Sequence, residues 1–124
     1  MEKQSKAALK AAYRETRATA GVLGIRNLIN GKMLVEGSLD VRALHNRYQS
    51  SLTFKGCNNQ ALQEDWNALS PEAFAFEVLE SYEPGPEDND KDCLELVRAM
   101  ETAWLEKLKP WDEKGYNRKR EIVK

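Results

Sequence analysis

Apolar and polar residues follow two distinct rhythms along this chain, and the rhythms divide it into elements. Short apolar segments at 21–26 and 32–36 bracket Asn30-Gly31. An Asn-Gly pair between two such segments is the strongest local hairpin signal, because both residues tolerate the backbone that a reversing turn requires. Two antiparallel strands are expected there. The segment AFAFEVLE at 73–80 sets Phe74, Phe76 and Val78 at alternate positions, the period of two that marks a half-buried third strand.

Helical spacing governs the rest. Ser38 is expected to cap a helix reaching about Leu52, whose Val41, Leu44 and Tyr48 share the face turned to the sheet. Asn58 or Asn59 opens a second helix carrying Leu62, Trp66 and Leu69, and Ser70-Pro71 stops it. From Cys93 to Lys109, an apolar stripe of Leu94, Val97, Met100, Ala103, Trp104 and Leu108 predicts a long helix that Pro110 ends. Residues 2–18, with Ala8, Leu9, Ala12 and Tyr13 at helical spacing, predict a weakly amphipathic first helix attached to the core. Tyr82 to Asp92 holds two prolines, a glycine and six acidic or amide residues, and reads as a loop. The resulting order is helix, strand, strand, helix, helix, strand, loop, helix, basic tail. It predicts an α+β fold in which a small three-stranded antiparallel sheet is flanked by helices. Residues 1–19 form an N-terminal helical appendage, 20–117 one domain, and 118–124 a basic tail.

Composition narrows the function classes. With 124 residues, 41% hydrophobic and 31% charged, the chain can enclose one core and is not generally disordered. It has no run apolar enough for a membrane span and no signal-like core, so a cytoplasmic location is expected. Cys57 and Cys93 lack CxxC spacing, and with the single His45 they fit no familiar zinc pattern, so reduced thiols are expected. The formal charge of −1 exerts no global pull on nucleic acid, so any such affinity depends on distribution. Lys3, Lys6, Lys10, Arg14 and Arg17 make the first segment basic, and Lys114, Arg118, Lys119, Arg120 and Lys124 the last. These ends could flank a duplex or simply be solvated. Glu80, Glu83, Glu87, Asp88, Asp90 and Asp92 are expected to form a solvated acidic loop.

Several phrases in order carry a resemblance: GVLGIRNLINGKMLVEGSLDVRALHNR at 21–47, KGCNNQALQEDWNALSPEAFAFEVLE at 55–80, METAWLEKLKPW at 100–111, and GYN at 115–117. Together with the element order they resemble the GIY-YIG nuclease superfamily over nearly the whole chain after the first helix. The nearest subset is the small bacterial stand-alone proteins described as LuxR-like GIY-YIG domains, although no helix-turn-helix is evident. The resemblance implies a site in which one tyrosine ends the first motif and another opens the second. It further implies an arginine on the following helix that contacts the scissile phosphate and a glutamate on a later helix that binds a divalent metal. A tyrosine orients or deprotonates the attacking water, the cation offsets charge building on phosphorus, and the metal stabilises the leaving oxygen.

Matched position by position, the first motif reads Gly21-Val22-Leu23 and the second Leu34-Val35-Glu36-Gly37, with leucine at both tyrosine positions. The arginine position falls on Leu44, with Arg42 and Arg47 on the same helix. A frequent histidine falls on Tyr48, and Asn58-Asn59 replaces another. Glu101 matches the metal-binding glutamate and Asn117 the site asparagine. The implied site is therefore degenerate, made of Arg42, Arg47, Glu101 and Asn117. Glu101 is its metal ligand, for Mg2+ or Mn2+ if the protein is active, and an ion on one carboxylate needs substrate phosphate to complete its shell.

Each residue has a plainer reading: Glu101 a surface carboxylate near Arg98 or Lys107, Arg42 and Arg47 an exposed helix face, His45 a surface imidazole, and Trp66, Trp104, Phe74 and Phe76 core. Three functions follow. The first is a catalytically weakened or inactive nucleic-acid-binding or regulatory module, with DNA or RNA as partner. The second is an active divergent metal-dependent endonuclease using Arg42 or Arg47, Tyr48 or Tyr116, and Glu101. The third is a protein-interaction domain using the leucine-replaced hairpin face.

Overall fold

In a three-stranded antiparallel sheet, β1 (Ala20–Asn27) lies between β2 (Met33–Ser38) and β3 (Phe74–Tyr82). The computed structural model describes residues 17–118. The expected helix over 2–18 therefore lies outside the described residues but for its last two positions, and so does the basic tail beyond Arg118. Three helices follow the expected order: α1 (Val41–Thr53), α2 (Gln60–Leu69) and α3 (Asp90–Leu108). Among the described residues no helix is long and apolar enough to cross a membrane.

Because β1 is central, apolar side chains on both of its faces are covered. Leu23 and Ile25 join Leu34, Leu44, Leu52, Leu62, Trp66 and Phe74 in a cluster under α1 and α2. Val22 and Val35 point the other way and meet Met100 and Leu105 of α3. Alternate residues of a strand face opposite sides, so one short sheet supports two cores.

The hairpin forms where Asn30-Gly31 predicts it, with Gly31 at a φ of 81°. The connection is longer than a two-residue turn: Asn27 N–H donates to Lys32 O at 2.8 Å and Gly31 N–H to Asn27 O at 2.8 Å. The buried Asn27 side chain organises the loop, its Oδ1 accepting from Ile29 N–H at 2.9 Å.

Three local expectations are corrected. Asp40, not Ser38, caps α1, its carboxylate accepting from Ala43 N–H at 2.9 Å. Ser38 ends β2 instead, and its Oγ accepts from Asp40 N–H at 3.0 Å. In β3, Val22 pairs with Glu80 and Leu23 with Val78, so Leu79 is an inserted residue that turns toward the α3 core. The apolar cover on the other face reaches Phe76 and leaves Val78 exposed. On α3 the buried stripe is Cys93, Val97, Met100, Glu101 and Leu105, while Ala103 faces solvent. Asn59 caps α2 as one of the two expected asparagines, accepting from Leu62 N–H at 3.0 Å.

The acidic segment is more organised than a solvated loop. Arg17 runs beneath it, donating to Gly85 O at 2.7 Å, to Asp88 O at 3.0 Å and to Asp90 at 3.0 Å. Asn89 caps α3 there, and Asp90 and Asp92 in the first turn favour the positive end of the helix dipole.

Candidate functional site

The site begins with the outer edge of β2, whose backbone groups would otherwise lack partners. Residues 115–117 run along this edge: Tyr116 N–H donates to Met33 O at 2.8 Å. Asn117 then acts as a surrogate strand, its Oδ1 accepting from Val35 N–H and its Nδ2 donating to Val35 O, both at 2.8 Å. Two residues further along the same edge, Gly37 N–H donates to Glu101 Oε2 at 2.7 Å. The two positions that match the family pattern, Glu101 and Asn117, thus both complete the edge of β2.

Glu101 reaches that edge because Gly37 lets α3 approach closely. A Cβ at Gly37 would lie 2.8 Å from Val97 Cγ1 and 3.3 Å from Glu101 Cβ. Glu101 is only 8% exposed, which corrects the plainer reading of a surface carboxylate.

The three positions where the motif would place polar groups lie together on the opposite side of the sheet from α3. Leu23 is 2%, Leu34 5% and Leu44 3% exposed, and all belong to one apolar cluster that also holds the Tyr116 ring. A leucine in such a cluster neither transfers a proton nor contacts a phosphate. The three leucines are thus buried rather than displayed along the hairpin face.

Next to this cluster opens a cleft of about 1400 Å3, bordered by β2, α1, the α1–α2 connection and residues 116–118. Leu34 lies at its base, and Arg47, Tyr48, Asn58, Asn117 and Arg118 line it. Of the expected site residues, the structure therefore brings Arg47 and Asn117 to the cleft, together with Tyr48. Arg42 is exposed on α1 and does not line the cleft, and neither does Glu101. His45 stacks on Phe76 with ring centroids 4.3 Å apart, as a partly covered surface imidazole does. Trp66 packs against Phe74 and Phe76 in the core. Trp104 is only half-buried, its Nε1 donating to Glu80 at 2.7 Å.

Glu36 is the cleft residue that motif matching missed. Two positions after Leu34 on β2, it faces the same side and reaches the α1 residues one helical turn beyond Leu44. Tyr48 O–H donates a short hydrogen bond to Glu36 Oε1, and Arg47 lies 3.3 Å from Oε2. Burial and the adjacent carboxylate raise the Tyr48 pKa well above the ordinary phenol range, so the hydroxyl remains a donor. The parity of Leu34 and Glu36 was the sequence signal that could have found it.

On the far side of the cleft wall, Tyr116 joins a buried polar chain. Its O–H donates to Asp65 at 2.6 Å and accepts from Asn27 Nδ2 at 2.9 Å. Burial, with Asp65 alongside, pushes the Tyr116 pKa up to about 12. This hydroxyl is therefore held as a donor to Asp65.

Among the described residues no three His, Cys, Asp or Glu side chains converge in a way that could hold an ion. Glu101, the implied ligand, spends one carboxylate oxygen on Gly37 N–H.

No family model and no curated protein sequence matches the chain. Among solved structures, a mutant of the catalytic domain of the intron endonuclease I-TevI superposes with a TM-score of 0.63 at 23% identity, covering 80% of this chain and 92% of that one. The catalytic domain of homing endonuclease I-TevI gives 0.60 at 24% identity, covering 79% and 96%. The α+β fold described above is that of the I-TevI catalytic domain.

Proposed function

We propose that this protein is a nuclease-derived module that binds nucleic acid without cleaving it. The observation that carries the proposal is the burial of Leu23, Leu34 and Leu44 in one apolar cluster. A positioned proton-transfer group contributes roughly two to four orders of magnitude to a reaction rate, and a donor aimed at developing charge roughly two to three. The chain has replaced both kinds of group by hydrocarbon at these positions. Arg47, the cation nearest the expected place, is engaged by Glu36, and Glu101 serves the β2 edge.

Binding draws on what remains in the cleft. Arg47 and Arg118, with Lys55 beside Gly56 in the turn after α1, supply cations, and Asn58 and Tyr48 supply neutral polar groups. Such groups position a phosphate backbone without reading its sequence. The free thiols Cys57 and Cys93 fit a reducing compartment, which supports a cytoplasmic setting such as that of small bacterial stand-alone domains.

The test is incubation of the purified protein with supercoiled plasmid and with short single- and double-stranded DNA and RNA, with magnesium or manganese, beside a Glu101→Ala control. No nicking is expected from either protein, and each tenfold rise in salt should weaken binding by about 0.7–0.9 logarithmic units per phosphate contacted. Nicking by the native protein that Glu101→Ala abolishes would overturn the proposal in favour of a divergent endonuclease. Neither nicking nor binding would redirect the search to protein partners.

A further inference from the structure

We propose that Glu36 is a built-in competitor for phosphate, a specificity-determining residue whose carboxylate occupies the anion subsite formed by Tyr48 and Arg47. The inference rests on the binding role proposed above but concerns a residue that the family resemblance does not mark. Its two partners are the donors a phosphate oxygen would take in the same cleft: a hydroxyl and a guanidinium. A tyrosine hydroxyl has one proton to give, so while Tyr48 donates to Glu36 it cannot donate to a ligand.

The competitor is built into the strand. Glu36 sits opposite Leu23 on β1, and the flanking residues Val35 and Gly37 are held at the sheet edge by Asn117 and Glu101. The backbone therefore keeps the carboxylate at the cleft, and only side-chain rotation can release its partners. The Glu36 side chain is 33% exposed, so an incoming anion can reach the pair. A bound phosphate would lie beside a second negative charge, and each phosphate bound must displace Glu36 or share its donors. Nucleic acid should thus be held weakly and released readily.

The experiment compares the native chain with Glu36→Gln, Glu36→Ser, Arg47→Gln and the Glu36→Gln/Arg47→Gln double variant. Glu106→Gln, an exposed change on α3, controls for net charge. Binding is measured with fluorescent short single- and double-stranded DNA, and inorganic phosphate is titrated separately while amide NMR signals around the cleft are followed. Glu36→Gln should tighten DNA binding about tenfold, the size of one repulsive charge at surface-like screening. Glu106→Gln should change it less than about twofold, because its charge is screened from the cleft. Arg47→Gln in the Glu36→Gln background should remove the gain. Glu36→Ser carries the same expectation should Glu36→Gln fail to fold.

Equal DNA affinity for the native protein and Glu36→Gln, or the same gain from Glu106→Gln, would overturn the competitor role while leaving nucleic-acid binding in place. If no DNA binds but phosphate binds Glu36→Gln more tightly than the native protein, the competitor role stands and the nucleic-acid proposal falls. If neither probe binds Glu36→Gln, both fall.

Discussion

Replacing Leu44 by arginine, the residue the motif would place there, tests whether this position belongs to the core. Leu44 packs with Leu23, Leu34, Leu52 and Tyr116. Removing a buried leucine side chain from its apolar surroundings forfeits roughly 1.5–3 kcal/mol. An unpaired guanidinium in its place adds a desolvation cost of several kcal/mol. The long arginine stem can carry its head partly toward the cleft, which reduces but does not cancel that cost. The expected loss is therefore about 4 kcal/mol or more, against a total near 5–15 kcal/mol for an ordinary small domain. Leu44→Met, which conserves volume, should cost under about 1.5 kcal/mol. Urea unfolding followed by far-ultraviolet circular dichroism and by tryptophan fluorescence measures both, with a common slope as the check that the unfolded states are comparable. A Leu44→Arg protein within about 1 kcal/mol of the native one would show that this position opens to the cleft, and the structural case against cleavage would collapse.

Other consequences can be measured on the same preparation. Asn117→Ala removes both partners of the Val35 backbone, so a loss of about 1–3 kcal/mol and faster amide exchange at Val35 are expected, and an unchanged melting curve would refute the surrogate-strand role. Tyr116 should make stability sensitive to alkali: its pKa is raised to about 12 in the fold, whereas a free tyrosine titrates near 10. Its stabilising contribution is thus complete below about pH 10 and falls as pH rises toward 12, by no more than about 3 kcal/mol. Tyr116→Phe should flatten this part of the stability profile, and an unaltered slope would dissociate it from Tyr116.

How far the sequence disclosed the molecule depended on whether each signal was local. Asn30-Gly31, the asparagine before α2 and Ser70-Pro71 act within a few residues, and each lies where the chain turns or a helix starts or stops. The bulge at Leu79 arises only in the pairing of β3 with β1, so the alternation of Phe74, Phe76 and Val78 could not disclose that its apolar cover ends early. The face of α3 was misjudged at Ala103 because a glutamate, not an alanine, faces the sheet. Glu101 is accommodated there by a glycine distant in sequence and by a strand-edge N–H that needs an acceptor. Ser38 and Asp40 are both competent caps, and the end of β2 decides between them by using Ser38 first.

The same distinction bears on the candidate site. Substitution of one motif residue by leucine would leave the remaining polar groups beside hydrocarbon, with desolvation unrelieved. Leu23, Leu34 and Leu44 are instead mutually consistent, since each supplies apolar surface that the other two bury. On the proposed function, lost chemistry is then one coupled repacking rather than three separate defects. Residues in contact through a shared core do not contribute additively. Restoring any single polar group should therefore cost stability and return no activity. Even a full reversal would meet Glu36 on the donors beside the cleft and Glu101 on the β2 edge. On that proposal, reversal requires reorganising two supports that the present core holds in place, so the fold can persist while restored single groups return no chemistry.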